Sequence, residues 1–331
     1  MRTLCECPSF DPLSLCDPVA RVRDLPGTSK PFRNGPLMTD SANAASGLDE
    51  NELSYYRLTE SWNGKFWYRT NGSGRIAGSA CLDLGCGVGS LTTDLVRLGA
   101  VRAVGVDPDA DRIRIARMAA AAFHPDVADR VEYRPVTIQE VDGRGEFDVV
   151  VSRDTVEHIH DLPEVLREVA RLLRPDGRVY LGFGPLYRSP FGDHGLLGLR
   201  LPWAHLLVAP RPDTPRLSHW PSRERLDLLE RELNGRTLDE IEAIVERSPL
   251  EFESLRVNVS DHPAFRMLNL ARAIPLLRDL MTVNVYAVLR QRPARHDSQV
   301  PAIYSVIAPL APPAWKSTDP TFAWDDDPRL A

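Results

Sequence analysis

The sequence lacks any uninterrupted apolar run near the about 18 residues that a membrane-spanning helix requires. It also has no surplus of basic residues, because 40 lysines and arginines are outnumbered by 46 aspartates and glutamates, which gives a net charge of −6. The first absence excludes a transmembrane protein. The second argues against DNA or bulk RNA as a partner.

Cysteine is too scarce for a disulfide framework, with five residues in 331. Cys5, Cys7 and Cys16 lie close together, but no histidine occurs before His124 to complete a zinc site nearby. We therefore expect no metal there. Prolines interrupt the start of the chain and no apolar stretch follows it, so we expect no secretory signal and a cytoplasmic location.

Composition divides the chain into three parts. Residues 1–47 are rich in Pro, Gly, Ser, Asp and Asn, which is typical of a disordered leader or of an over-extended start, with Met38 as the other candidate initiator. Residues 291–331 are proline-rich and are interpreted as a tail. Residues 48–290 form the predicted domain, with an irregular insertion at 184–222 of the kind that is more often functional than not.

Short apolar runs alternate with helical periods from residue 80 onward, a pattern that favours an α/β fold with a parallel sheet flanked by helices. Two more strands are predicted beyond the insertion, each preceded by a helix. The predicted strands are ACLDL, VRAVGVD, RVEYRPV, FDVVVS, RVYLGF, LEFESLRVNVS and MTVNVYAVLRQR.

Residues 48–70 precede this pattern and contain several aromatic side chains at helical spacing, among them Tyr56, Trp62, Phe66 and Trp67. One or two helices are predicted here. Plain packing against the core is one interpretation, and an aromatic lid over a ligand is the other.

The strongest motif is Asp83-Leu84-Gly85-Cys86-Gly87-Val88-Gly89, at the carboxyl end of the first predicted strand. Glycines permit a tight turn and let a ligand approach bare backbone, and ligands bind at this edge of such sheets. A nicotinamide or flavin fingerprint has a third glycine where Ser90 stands. The acidic Asp83 would repel a pyrophosphate and attract a cationic ligand that carries an amine.

These residues resemble the first motif of the class I S-adenosylmethionine-dependent methyltransferases, of the type 11/12-like domains. The likeness continues through VGVDPD, FDVVVSRDTVEHI and LLRPDGRVYLGF, in the family's order, over about residues 78–184. It implies a Rossmann-like sheet of seven strands, mostly parallel with the last strand antiparallel, with helices on both faces and a substrate-binding insertion after strand five.

The resemblance also implies the cofactor, S-adenosyl-L-methionine. Asp83 would take the amino group of its methionine part, while Gly85 and Gly87 would bring backbone close to it. Asp107, just beyond the second predicted strand, would accept both ribose hydroxyls. A plain turn residue before Pro108 is the alternative for Asp107.

The family often has an acidic residue for the adenine amino group after the third strand, where this chain has Thr137 followed by Ile138. We therefore expect backbone and apolar walls to hold the adenine. The cofactor-binding residues implied in this way are Asp83, Gly85, Cys86, Gly87, Gly89, Asp107, Pro108, Thr137, Ile138 and Arg153.

Candidate catalytic residues follow the fourth predicted strand and lie in the insertion. A hydroxyl acceptor needs a base, for which we consider His194, oriented by Asp154 because the adjacent Asp193 would point away. A histidine bonded to the loop backbone is the alternative. His158 is a third candidate, although a Glu–His pair at this place in the family commonly caps the following helix.

The insertion offers further groups whose roles the sequence leaves open. Its histidine spacings fit no zinc pattern, so no metal is expected. Arginines there would hold an acidic acceptor group or be solvated surface residues. The remaining candidates are Asp193, His205 and His219 as bases, Tyr187, Trp203 and Trp220 as walls, and Arg188, Arg200 and Arg211 as anion contacts.

We expect methyl transfer to a small-molecule acceptor, at an oxygen of a natural product, sugar or aromatic compound. The absence of an Asn/Asp-Pro-Pro-aromatic motif argues against methylation of nucleobase amines. The alternatives are a catalytically silent cofactor-binding partner subunit and a protein or lipid methyltransferase. No nucleic-acid or membrane partner is expected.

Overall fold

A computed structural model describes residues 47–199, 201–208, 221–260 and 262–293. The predicted leader lies outside these residues except for Gly47, and so does the predicted tail beyond residue 293. The boundaries of leader, domain and tail therefore stay predictions. Four candidates in the insertion also lie outside the described residues: Arg200, Arg211, His219 and Trp220.

Two helices precede the sheet, α1 (Glu50–Ser61) and α2 (Asn63–Thr70). Asp49 starts α1 through a capping box, in which its carboxylate accepts from the backbone of Glu52 at 2.9 Å. Tyr56, Phe66 and Trp67 are buried, so these three aromatic residues follow the packing interpretation.

A single seven-stranded sheet with the order β3-β2-β1-β4-β5-β7-β6 forms the centre of the described chain. Only β7 runs antiparallel to its neighbours β5 and β6, as the resemblance implied. The strands are β1 (Ala80–Leu84), β2 (Arg102–Val106), β3 (Val131–Arg134), β4 (Phe147–Arg153), β5 (Leu173–Phe183), β6 (Leu250–Val257) and β7 (Val285–Gln291).

Helices cover both faces of the sheet, which is why the central strands are apolar throughout rather than alternating. All five residues of β1 are buried. The helices after α2 are α3 (Ser90–Arg97), α4 (Ala110–Phe123), α5 (Leu162–Leu172), α6 (Ala204–Val208), α7 (Arg223–Glu232), α8 (Leu238–Arg247) and α9 (Pro263–Ala271). One core joins the sheet to α5 and α8, and another joins it to α2 and α3.

The structure differs from the predicted elements in two places. β5 begins at Leu173, five residues before the predicted strand RVYLGF, and its register with β4 shifts between Phe147 and Val149. The insertion contains the short helix α6, and α7 begins directly after it. Because the insertion is rich in proline and histidine, its sequence does not show the helical period of α6. The sequence of α7, RERLDLLERE, is strongly charged and has few apolar residues, so this helix was not predicted either.

No helix among the described residues is long and apolar enough to cross a bilayer.

Candidate active site

The glycine turn lies between β1 and α3, where β1 borders both β2 and β4. Gly87 and Gly89 have positive φ angles of 53° and 81°, which side chains rarely adopt. A Cβ atom on Gly89 would come within 2.6 Å of the Tyr133 ring. A Cβ atom on Gly87 would meet nothing within 4 Å, so Gly87 presents bare backbone to open space.

Asp107 follows β2 and holds this turn with its buried carboxylate. One oxygen accepts from the backbone of Gly87 at 3.0 Å, and the other accepts from the backbone of Asp109 at 2.9 Å. An ionised carboxylate has about four acceptor positions, so each oxygen keeps one for a ligand. The neighbouring Pro108 is exposed.

Asp83 is buried near the end of β1, where the Thr92 hydroxyl donates to its carboxylate at 2.7 Å. Burial raises the pKa of Asp83 to about 6, although the Thr92 hydrogen bond and the charge of Arg153 act in the opposite direction. A cationic group beside this carboxylate would stabilise its ionised form.

This raised pKa predicts pH-dependent cofactor binding. S-adenosylhomocysteine carries the same ammonium group as the cofactor, and that group needs an ionised Asp83. Because the folded pKa is about 6, binding is expected to be strong above pH 7 and about tenfold weaker at pH 5. Calorimetric titration from pH 5 to pH 7.5 measures this change.

Two controls separate Asp83 from other titrating groups. Asp83→Asn keeps an acceptor for Thr92 but removes the titration, so its affinity should be low and constant with pH. The ligand 5′-methylthioadenosine lacks the ammonium group and should bind the wild type equally well at both ends of the range. An unchanged pH dependence in Asp83→Asn would contradict the assignment.

Two of the implied cofactor residues, Cys86 and Ile138, direct their side chains into the protein, whereas Thr137 is exposed. The Cys86 thiol packs in a cluster with Ile113 and Tyr133, and burial raises its pKa well above the usual range. Ile138 lies in the core. The Thr137 hydroxyl donates to Glu140 at 2.9 Å, within a capping box. The expectation that backbone and apolar walls hold the adenine stays a prediction.

Arg153 ends β4 and turns towards α2. Its guanidinium donates to the Asn63 side chain at 2.5 Å and lies 5.9 Å from the centre of the Trp62 ring. Asp154 has a φ of +53° and lies beside Arg153, with 3.8 Å between Oδ2 and Nε. Trp62 therefore lies near the carboxyl end of β4, whereas Tyr56, Phe66 and Trp67 pack inside.

His194 is buried within the insertion, and its Nε2–H donates to the carbonyl of Pro185 at 2.8 Å. Since a carbonyl only accepts, Nε2 carries the proton and Nδ1 is the basic nitrogen. The His158 ring lies edge-on to it, with centroids 5.7 Å apart, and bonds through Nδ1 to the carbonyl of Glu232 at 2.6 Å. The bond from His194 to a loop carbonyl is the alternative considered for that histidine, whereas the cap of α5 is Asp161 and not His158.

Three other described candidates of the insertion, Asp193, His205 and Trp203, bond to backbone groups of the protein. Asp193 accepts from the backbone of Leu197 at 3.3 Å, so it and His194 have different partners, as expected for adjacent residues. His205 donates to the carbonyl of Tyr187 at 2.6 Å, and burial lowers its pKa. Trp203 donates to the carbonyl of Leu280 at 3.1 Å, and Arg188 is exposed.

No local pattern indicated a further polar pair on the α2 side of the sheet. Arg69 donates from Nη1 to the Tyr286 hydroxyl at 2.7 Å and lies 5.3 Å from the centre of its ring. Burial raises the pKa of Tyr286, which keeps the phenol neutral. The two residues are 217 positions apart, so only the packing of α2 on β7 reveals them.

Among the described residues, no group of three or more His, Cys, Asp or Glu side chains could hold a metal ion.

Comparison with known proteins identifies the domain. Residues 82–179, from β1 into β5, match the family model for a methyltransferase domain. This segment therefore matches a methyltransferase domain, as the resemblance to the class I S-adenosylmethionine-dependent methyltransferases implied, and S-adenosyl-L-methionine is the cofactor of that family.

The relatives give a more particular likeness. The ubiquinone biosynthesis O-methyltransferase of Rhodopseudomonas palustris (strain BisB5) is 39% identical over 103 residues, which are 31% of this chain and 38% of that protein. The protein of the same name from Bradyrhizobium diazoefficiens is 40% identical over 103 residues, which are again 31% of this chain and 38% of that protein. The chain thus matches well under half the length of these curated relatives.

Solved structures are also similar, and one of them shares most of its own length with this chain. An S-adenosylmethionine-dependent methyltransferase from Mesorhizobium loti is 19% identical, covers 66% of this chain and 93% of its own, and has a TM-score of 0.44.

Proposed function

We propose that this protein transfers a methyl group from S-adenosylmethionine to an oxygen of a small-molecule acceptor. The observation that carries the proposal is the arrangement of Asp83, Gly87 and Asp107 around one turn, inside a segment similar to named O-methyltransferases. The natural-product, sugar or aromatic nature of the acceptor is part of the proposal.

The residues present fit the cofactor. Asp83 is a buried carboxylate suited to an ammonium group, and Gly87 offers backbone beside open space. Asp107 keeps an acceptor position on each oxygen, which suits a pair of ribose hydroxyls. The bound cofactor would supply an electrophilic methyl group on a sulfonium sulfur, which would leave as the neutral thioether of S-adenosylhomocysteine when the acceptor oxygen takes the methyl group.

Alignment and exclusion of water supply much of the rate of such a transfer. Arg153, held by Asn63 and stacked on Trp62, lies at the carboxyl end of β4 and would contribute one acceptor wall. The insertion, which begins at the end of β5, would contribute the other. An acceptor hydroxyl also loses a proton, for which we propose Nδ1 of His194.

The direct test supplies methyl-labelled cofactor to the purified chain with a panel of phenols, catechols, hydroxy acids and sugars. Amines of matched shape serve as controls. Label in a hydroxylated acceptor, with S-adenosylhomocysteine formed in equal amount, supports oxygen methylation. Tight binding without transfer to any acceptor favours the silent partner subunit, and label only in amines or in added protein contradicts the oxygen acceptor.

A further inference from the structure

A row of residues crosses the sheet near the carboxyl ends of β4 and β5. The strand register joins four residues in this row: Arg153, Gly182, Tyr286 and Arg256. Because side chains at paired positions lie on the same face of a sheet, the whole row belongs to one face. The contact between Tyr286 and Arg69 shows that α2 covers this face.

Gly182 leaves room for the ring of Tyr286. A Cβ atom on Gly182 would come within 2.9 Å of that ring and within 3.0 Å of the Phe66 ring. The phenol therefore lies against β5, the strand that borders β4. Burial raises the pKa of Tyr286, while the positive charges of Arg69 and Arg153 act in the opposite direction. The neutral phenol leaves these positive charges unbalanced.

Arg69 has more hydrogen-bond donors than partners. Its Nη1 donates to the Tyr286 hydroxyl at 2.7 Å, whereas Nε and Nη2 have no partner among the described residues. The Tyr286 oxygen accepts this bond and keeps its own proton for a further acceptor. Arg69 is half-buried, and a cation withdrawn from water needs an anion beside it. The pair therefore presents donors to a group that only accepts.

Arg256 adds a second positive charge beside this pair. Its Nη1 donates to the backbone carbonyl of Arg69 at 2.8 Å, at the carboxyl end of α2. Arg256 is also half-buried, and in the part of the chain that the structure describes neither of these arginines forms an ion pair. Two cationic groups thus lie together in a chain whose net charge is −6.

We propose that Arg69 and Tyr286 bind a carboxylate group of the methyl acceptor, which makes the acceptor a hydroxy acid. Two guanidinium nitrogens match the two oxygens of a carboxylate in parallel hydrogen bonds, and the phenol donates a third. Arg256 adds electrostatic attraction. The inference rests on the proposed function, and it assigns the acidic group of the acceptor to α2 and β7 rather than to arginines of the insertion.

The cofactor contains a carboxylate too, but the sheet order separates it from this pair. Asp83, proposed to hold the ammonium group, lies on β1, and β7 is three strand positions away in the order β1-β4-β5-β7. Neighbouring strands are about 4.8 Å apart, so the separation is about 14 Å. The ammonium and carboxylate groups of an amino acid are attached to one carbon atom, so both lie near Asp83. An acceptor over the ends of β4 and β5 lies closer to Tyr286.

Calorimetric titration of the full 331-residue chain, saturated with S-adenosylhomocysteine, tests the carboxylate site without requiring methyl transfer. The probes are hydroxybenzoic acids and aliphatic hydroxy acids, each compared with its own carboxamide. The carboxamide keeps the shape and the hydroxyl groups but has no charge. We expect acids in this panel to bind at least about tenfold more tightly than their carboxamides, because charged hydrogen bonds are lost in the carboxamide.

Substitutions of the pair should remove this preference. Arg69→Gln keeps a donor for Tyr286 but has no charge, so it should weaken binding of the acid about tenfold and leave the carboxamide unaffected. Arg69→Lys keeps the charge and should retain part of the preference. Tyr286→Phe removes one neutral donor and should weaken binding of the acid about threefold.

Arg75→Gln is the matched control. Arg75 is exposed, and its charge acts on the pKa of Tyr180, which precedes Gly182 by two residues in β5. It is therefore a second arginine beside a tyrosine on the same face, farther from the carboxyl ends of the strands. This variant should bind the acid like the wild type. Melting temperatures equal to that of the wild type should show that the variants fold.

Three results would overturn the proposal. Equal affinity of the wild type for acids and carboxamides throughout the panel is one, and an acid preference that persists in Arg69→Gln is another. The third is weaker binding of S-adenosylhomocysteine in Arg69→Gln with unchanged binding of 5′-methylthioadenosine, which would assign the pair to the carboxylate of the cofactor. Acid binding that depends on Arg69, found together with methyl transfer only to amines, would support the carboxylate site and contradict the oxygen acceptor.

Discussion

Replacing His194 with glutamine is expected to lower the single-turnover rate of methyl transfer about 100-fold for a weakly acidic alcohol. The proton of such an acceptor needs a base, and general-base catalysis contributes about this much. Glutamine can place an amide nitrogen near the position of Nε2, so it keeps the donor to Pro185. It has no counterpart to the basic Nδ1.

The measurement is the single-turnover rate as a function of pH, in wild type and variant, with an acceptor found by the labelling screen. His160→Gln is the matched control, because His160 also bonds through Nε2 to a backbone carbonyl, that of Arg231, at 2.9 Å. Equal rates and pH profiles in His194→Gln would remove the base role. Catalysis would then rest on Asp154 or on alignment alone.

The acidity of the acceptor sets the size of this effect. A phenol or carboxylic acid is largely ionised without help near its own pKa, so the loss should shrink as the acceptor pKa falls. His194→Ala removes the bond to Pro185 as well, and a melting temperature below that of His194→Gln would measure the structural part. The pair of variants therefore separates the two interpretations of this histidine.

The second large effect is expected at Asp107. Asp107→Ala should weaken binding of S-adenosylhomocysteine by about 1.5 to 3 kcal/mol, because a charged acceptor for buried hydroxyls is lost. The structure adds a second reason: the same carboxylate accepts from Gly87 and Asp109, so its removal also releases the glycine turn.

Calorimetry with S-adenosylhomocysteine measures this loss. Asp109→Asn is the matched control, since Asp109 lies two residues away and caps α4 through the backbone of Asp111 at 2.9 Å, a role that asparagine also fills. Asp107→Asn keeps one acceptor oxygen and should fall between alanine and wild type. Unchanged affinity in Asp107→Ala would exclude the ribose role.

The sequence by itself determined the architecture and the cofactor turn. Strands that are buried on both faces appear in the sequence as short apolar runs, and the helices between them show apolar residues at a helical period. These local patterns are enough to place β1 to β5. The motif that starts at Asp83 can be recognised in the sequence because glycine and acidic residues interrupt an apolar run at the end of β1. These signals all lie within a few neighbouring residues.

The tertiary structure decided which distant side chains share the site. Arg153 meets Asn63 across 90 residues and Arg69 meets Tyr286 across 217, contacts that no local period encodes. The partner of His194 is a backbone carbonyl, which any residue supplies and no motif marks.

The orientation of α9 follows the same rule. The sequence predicts a helix before the last strand, but a helical period states only that one face differs from the other. Which face is buried depends on what packs against it, and here Phe265 and Arg272 meet the protein while Leu270 does not. Local patterns thus specify the elements, whereas burial and partners are properties of the assembled chain.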